Sequence, residues 1–294
     1  MNHKLIWEAV VLIGNFILRF IMLLSSVCIG TGANAVQEDA TKLTVWIRAG
    51  GNAVKSEISS FVRQVLEKIP QNITSQILVC TNEGDTILEE LDTLTKVENR
   101  VKVIFSHLSS FSTSLSVLAK NTDPESNVLS LSVGVNIRQD QIETGLSHLR
   151  GRVRVYGWTV SDHGNDGSVP GKGWYNTATL IDKIIVRQMV EEGVPNWVDN
   201  GVLGMIGQHT IGGNEEIPIM VKALQREPKA KFILNVGDPV SSSLRLGTGI
   251  SFQEKLERKV VVGQHYMQKL HRECGTSDEF ESWQKFIWKS IRVI

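Results

Sequence analysis

The chain has 294 residues and equal numbers of acidic and basic side chains, so its formal net charge is zero. That balance excludes a general electrostatic footprint for nucleic acid. The apolar and charged shares, 41% and 21%, are those of a globular protein with enough length to bury a full core.

The N-terminus carries the compartment signal. Residues 5–30 are strongly apolar, interrupted by Glu8 and Arg19. Phe20 to Ile29 has the length of a signal-peptide core, and Ala33-Asn34-Ala35 is a small-x-small cleavage pattern. Residues 1–35 therefore read as a signal peptide cut after Ala35. An uncleaved anchor over residues 5–30 is the alternative, since that length spans a bilayer. Arg19 in mid-span weighs against it, at roughly 2.5–3.5 kcal/mol on insertion scales. Both versions place the chain in a secretory pathway, in a lumen or secreted. Asn72-Ile73-Thr74 is then a usable glycosylation sequon. Cys28, Cys80 and Cys274 show no zinc-ligand spacing. Cys80 and Cys274 could pair in an oxidising lumen, or both stay free and buried.

A polar linker, 36–42, precedes a single domain over 43–294. Leu43 to Ile47 is an apolar strand, followed by a turn at Arg48-Ala49-Gly50-Gly51-Asn52. Ser56 to Ile69 puts Ile58, Phe61, Val62, Val65, Leu66 and Ile69 on one helical face, and Pro70 stops it. Strands at 77–80 and 101–105 flank a helix at 85–95. A helix within 106–122, a strand over 128–135, a helix over 139–149 and a strand over 152–160 complete the first half. This alternation predicts an α/β fold with a mostly parallel central sheet and helices on both faces. Ligands in such sheets bind beyond the carboxyl ends of the strands. Arg48-Ala49-Gly50, Thr81-Asn82-Glu83 and the loop after Phe105 should therefore share one rim.

Ser161 to Gly173 is a long polar loop with four glycines. Its Asp162, His163, Asp166 and Lys172 could contact a phosphate or a metal, or simply be solvated. Lys172 lacks the GxxxxGK[ST] frame of a P-loop. Residues 174–189 read as a helix, 231–236 as a strand ending at Gly237-Asp238-Pro239, 252–272 as a basic amphipathic helix and 280–291 as a last helix. Between them lies Ile211-Gly212-Gly213-Asn214-Glu215-Glu216-Ile217-Pro218. Here a glycine turn delivers two carboxylates to a helix start, with Asn214 as cap and Ile217, Met220, Val221 and Leu224 at helical spacing. Acidic first turns are common, so a plain capped helix also satisfies the pattern. A partly desolvated carboxylate there can act as a general base.

Taken in order, these pieces resemble the GT-A glycosyltransferases, the family 2-like nucleotide-sugar enzymes in particular, over residues 43–236. Thr44-Val45-Trp46-Ile47-Arg48-Ala49 is similar to the start of that family's nucleotide-binding half. Gly171-Lys172-Gly173 leading into Trp174-Tyr175-Asn176-Thr177-Ala178 is similar to its acceptor-side segment. Gly212-Gly213-Asn214-Glu215-Glu216 resembles its glycine-glycine-x-Glu-Asp element. The resemblance implies a GT-A, Rossmann-like fold and a hexosyltransferase activity. A sugar would pass from a nucleotide-sugar donor to a carbohydrate or lipid-linked acceptor. Glu216 takes the position of the base, with Glu215 as the other candidate. Arg48, Ala49, Glu83 and Lys172 fall on the donor side, and Trp174, Asn176, Gly212 and Gly213 on the acceptor side.

The family's Asp-x-Asp should end the strand near residue 131, where this chain has Leu131-Ser132-Val133-Gly134-Val135. No metal is expected at Ser132 and Gly134. The resemblance then implies a metal-independent transferase, a Mn or Mg site shifted to Asp162 and Asp166, or a fold without catalysis. Arg48, Lys172, Arg138 and an Asp140-bound metal are the candidates to meet the leaving diphosphate's charge. A non-catalytic carbohydrate- or nucleotide-binding protein of the same fold stands as the alternative. A hydrolase lacks support, since neither GxSxG nor HExxH occurs.

Overall fold

The computed structural model describes residues 42–49, 55–82, 88–106, 111–160, 178–194, 220, 223–242 and 291–294. They lie in one compact unit, Lys42–Ile294. In chain order the elements are β1 (Leu43–Arg48), α1 (Lys55–Lys68), β2 (Thr74–Asn82), α2 (Leu88–Val97), β3 (Val101–Ser106), α3 (Phe111–Lys120), β4 (Asn127–Ser132), β5 (Val135–Asn136), α4 (Gln139–His148), β6 (Val153–Val160), β7 (Ala178–Ile181), α5 (Lys183–Glu192), β8 (Lys231–Ser242) and β9 (Ile291–Val293).

The strands form one mixed sheet in the order β3-β2-β1-β4-β7-β6-β8-β5, with β9 also on β8. β1 pairs in parallel with both β2 and β4, and β2 with β3. β7 is antiparallel to both β4 and β6, and β8 runs parallel to β6. With β9 parallel to β8, seven strands thus point the same way: β1, β2, β3, β4, β6, β8 and β9. Every residue of β1 is buried, as a central strand covered on both faces requires.

Alternation along the strands sorts side chains into two cores. Val45 and Ile47 of β1 join Ile58, Phe61, Val62 and Val65 of α1, Leu91 and Leu94 of α2 and Ile142 of α4. Trp46 joins Leu115 and Leu118 of α3, Ile185, Val186 and Met189 of α5, and Met220 and Leu224. Helices therefore cover both faces. In the second core the Trp46 indole N–H donates to Thr122 Oγ1 at 2.8 Å, and that hydroxyl donates to the Leu118 carbonyl at 2.8 Å.

The structure corrects several element assignments. The helix expected over 174–189 is β7 followed by α5. Ala178-Thr179-Leu180-Ile181 is buried on both faces, and such a run has no periodicity to separate strand from helix. Asp182 then starts α5, its carboxylate accepting from the Ile184 amide at 2.8 Å. The strand expected over 128–135 stops at Ser132, where Gly134 turns the chain at φ 88. β8 does not end at Gly237-Asp238-Pro239 but bulges there and resumes, its register on β6 jumping from Asn235 to Val240. Ile291 begins a strand rather than closing a helix. Residues 252–272 and 280–290 lie outside the described residues.

Candidate functional site

The chain order of the strands reverses between β1 and β4. From β1 the chain builds outward through β2 to β3, then returns to add β4 on the other side. The carboxyl ends of β1 and β4 therefore flank a topological switch point, where open α/β sheets hold ligands. Two residues close that crevice. Arg48 ends β1 directly opposite Ser132, which ends β4. The Arg48 Nη2 donates to Ser132 Oγ at 2.9 Å.

Arg48 is only 9% exposed. It shares a sheet face with Trp46, while Val45 and Ile47 face the opposite core. Its other strand neighbour is Cys80 of β2. Burial pushes the Cys80 thiol up to about 11, with the Arg48 charge pulling it the other way. Cys80 is a free, buried thiol, and Cys274 lies outside the described residues. Ala49 follows at the rim, its methyl in the α1-side core and its amide bonded to the Cys80 carbonyl at 2.8 Å. It fixes the exit of β1 from the sheet.

β4 brings no carboxylate to this edge. Ser132 offers one hydroxyl, already bonded to a cation. Val133 and Val135 are buried, and Gly134 forms the turn. Divalent cations of the Mg and Mn kind take oxygen donors, carboxylates foremost. No group of three His, Cys, Asp or Glu side chains that could hold a metal occurs among the described residues. The described residues at this crevice do not fit a metal ion.

Further along the same edge, Arg138 precedes α4. It bonds Asp140 Oδ1 at 3.0 Å and Asp238 Oδ2 at 2.9 Å. That pairing holds the Asp140 carboxyl below its usual range. Arg138 and Asp140 therefore pair with each other, and Arg138 with the β8 bulge. Gln141 completes the junction, taking the Arg138 amide at 3.0 Å and donating to the Asp238 carbonyl at 3.1 Å. A polar knot that sequence reasoning missed sits beside it. Asn235 Nδ2 donates to the Tyr156 hydroxyl at 2.7 Å, and Asn235 Oδ1 takes the Asp238 amide at 3.0 Å. Its only signal was a lone asparagine in an apolar strand.

Of the residues singled out by sequence, Arg48, Ala49, Ser132 and Gly134 come together at the switch point. Glu83, Asp162, Asp166, Lys172, Trp174, Asn176, Gly212, Gly213, Glu215 and Glu216 lie outside the described residues. Met220 and Leu224, from the helix expected after Glu216, pack in the core on the Trp46 face.

No family model and no curated protein matches this sequence. Solved structures do. A mannosyltransferase from Pyrobaculum calidifontis, in complex with GDP-Man and Mn2+, is similar with a TM-score of 0.61 over 83% of this chain and 68% of that one, at 8% identity. A 4-diphosphocytidyl-2C-methyl-D-erythritol synthase from Anaerococcus prevotii covers 78% of this chain and 97% of its own, at 12% identity and a TM-score of 0.47. GalNAc-T7, with UDP, GalNAc and Mn2+, covers 42% of this chain and 24% of its own, at 16% identity and a TM-score of 0.38. The first likeness carries the fold, and the other two add no argument. The chain has a GT-A-type α/β fold.

Proposed function

We propose that the protein is a glycosyltransferase. It would move a sugar from a nucleotide-sugar donor to an acceptor hydroxyl on a carbohydrate or a lipid-linked carrier. The observation that carries this is a buried arginine at the switch point of a GT-A sheet. The donor's diphosphate would lie across the carboxyl ends of β1 and β4, against Arg48, with Glu83 and Lys172 as further donor-side contacts. Ala49 would set the entry of the following loop.

In-line, inverting transfer follows from three requirements. The acceptor oxygen loses its proton to Glu216, or to Glu215, and bonds to the anomeric carbon. The bond from that carbon to the diphosphate oxygen breaks as the new bond forms. Trp174, Asn176, Gly212 and Gly213 would hold the acceptor in line. The leaving diphosphate takes charge-assisted hydrogen bonds. None of these steps is routed through a metal, including one at Asp162 or Asp166.

A lumenal location fits the signal or anchor at residues 1–35 and the sequon. Asn72 is exposed in the α1–β2 turn, at the amino ends of the strands and so on the edge away from the crevice. A glycan there would leave the site open.

The second reading is a binding protein of the same fold without turnover. The substitution of a serine–arginine pair for strand-end carboxylates favours it. A panel of nucleotide sugars incubated with the full chain, read by release of nucleoside diphosphate, separates the two. The transferase reading predicts release that falls about a hundredfold or more in Glu216→Gln or Glu215→Gln while donor binding persists. Donor binding with no release supports the second reading, and no binding of any donor overturns both.

A further inference from the structure

We infer that Asn72 is an N-glycosylation site that is modified before β2 pairs with β1, and that folding then closes it to further modification. The inference rests on the lumenal location in the proposed reading and is independent of whether the protein itself transfers sugar.

The three residues of the sequon have different fates in the fold. Asn72 is exposed in the turn between α1 and β2, so its amide can carry a bulky hydrated group without displacing any core residue. Ile73 is half-buried against the α1-side core, and its carbonyl accepts the Leu43 amide at 2.9 Å. Thr74 opens β2 in register with Leu43 of β1 and is only 6% exposed. Its amide and its hydroxyl both donate to the Pro70 carbonyl, at 3.2 and 2.7 Å. The sequon is read as an asparagine together with a hydroxyl two residues on. In the folded chain the asparagine can be reached and the hydroxyl cannot. The modifying enzyme must therefore meet this stretch before the Leu43–Thr74 pairing forms. In that step the Asn72 amide nitrogen bonds to the anomeric carbon of a lipid-diphosphate-linked oligosaccharide. The bond from that carbon to the diphosphate oxygen breaks, the nitrogen gives up one proton, and the lipid diphosphate leaves.

The test has two arms. In the first, the full chain with its own leader is expressed in cultured eukaryotic cells and digested with peptide N-glycosidase in heavy-oxygen water. The expected result is a mobility shift of a single glycan and an isotope-labelled aspartate left at position 72. Asn72→Gln should abolish both, and its exposed position leaves the fold unharmed. In the second arm, unmodified full chain made in a bacterial cytoplasm is incubated with solubilised oligosaccharyltransferase and lipid-linked oligosaccharide. Beside it runs the full chain carrying Ile77→Pro and Val79→Pro, which keeps the sequon but cannot form the β2 ladder. The native chain should be modified at least about tenfold more slowly than this variant, because it must first open locally. Equal rates for the two, or no modification of the variant, overturn the inference. So does a chain that is secreted or protease-protected in the lumen without a glycan, an outcome that leaves the lumenal reading intact. A chain retained in the cytosol removes the lumenal reading and the inference together.

Discussion

Arg48 and Cys80 stand side by side at the carboxyl ends of β1 and β2, a permanent cation next to a buried thiol. The two influences on the thiol oppose each other, and burial wins, raising Cys80 to about 11. The native state then keeps its proton between the thiol's ordinary value of 9.0 and about 11, where the unfolded chain has lost it. Stability is lost as pH rises through that window. Cys80→Ala should flatten this alkaline loss in urea unfolding followed against pH. Alkylation mapped by mass spectrometry should leave the Cys80 peptide unlabelled in the native protein at neutral pH and label it on unfolding.

The Trp46–Thr122 bond joins β1 to the end of α3 inside the second core. Thr122→Val keeps the shape and strands the indole N–H without an acceptor. The expected cost is about 1–3 kcal/mol. Trp46→Phe removes the donor as well as volume, so the double variant should lose less than the two single losses added. Chemical denaturation of the four proteins checks both statements.

Gly145 is where α4 meets the sheet. A Cβ there would come within 2.6 Å of Leu180 Cδ1 and 2.9 Å of Trp158 Cζ2. Ala normally gains up to about 1 kcal/mol over Gly within a helix. Here overpacking against a fully buried indole should outweigh that gain, leaving Gly145→Ala destabilised by about 1–2 kcal/mol. A melting curve decides the sign.

What sequence could show follows from these contacts. Amphipathic helices were readable wherever one face met solvent, as in α1 with Ile58, Phe61, Val62 and Val65. β1, β3 and β6 were readable as apolar or alternating runs bounded by turns. β7 was not, because a strand buried on both faces carries no period and Asp182 gave too short a signal to mark its end. The bulge in β8 was hidden by Pro239, which reads as a stop. At the site, Arg48 was placed on the rim by counting strands. Its partner was not foreseeable, because Ser132 stood out only as a missing carboxylate and pairing depends on the strand order β1-β4.

Asp182 caps α5 with its side chain mostly buried, beside Arg154 at 3.8 Å. Burial raises its pKa, against the Ile184 amide and the Arg154 charge. A raised carboxyl favours the fold at acid pH, and that contribution is lost as pH rises through its folded value. Asp182→Ala should cost about 1 kcal/mol through the lost cap. Asp182→Asn keeps an acceptor and removes the buried charge, so it should match the wild type or exceed it at neutral pH and lose that margin toward pH 4. Urea midpoints at the two pH values test this.

The most direct measurement of the central claim is photo-crosslinking of azido-substituted UDP and GDP to the full chain, with the modified peptides identified by mass spectrometry and competition by unlabelled nucleotide. The account predicts competed crosslinks in peptides that carry the carboxyl ends of β1 and β4, around Arg48 and Ser132. Competed crosslinks confined to the amino edge near Asn72, or to the outer strands away from β1 and β4, would contradict it.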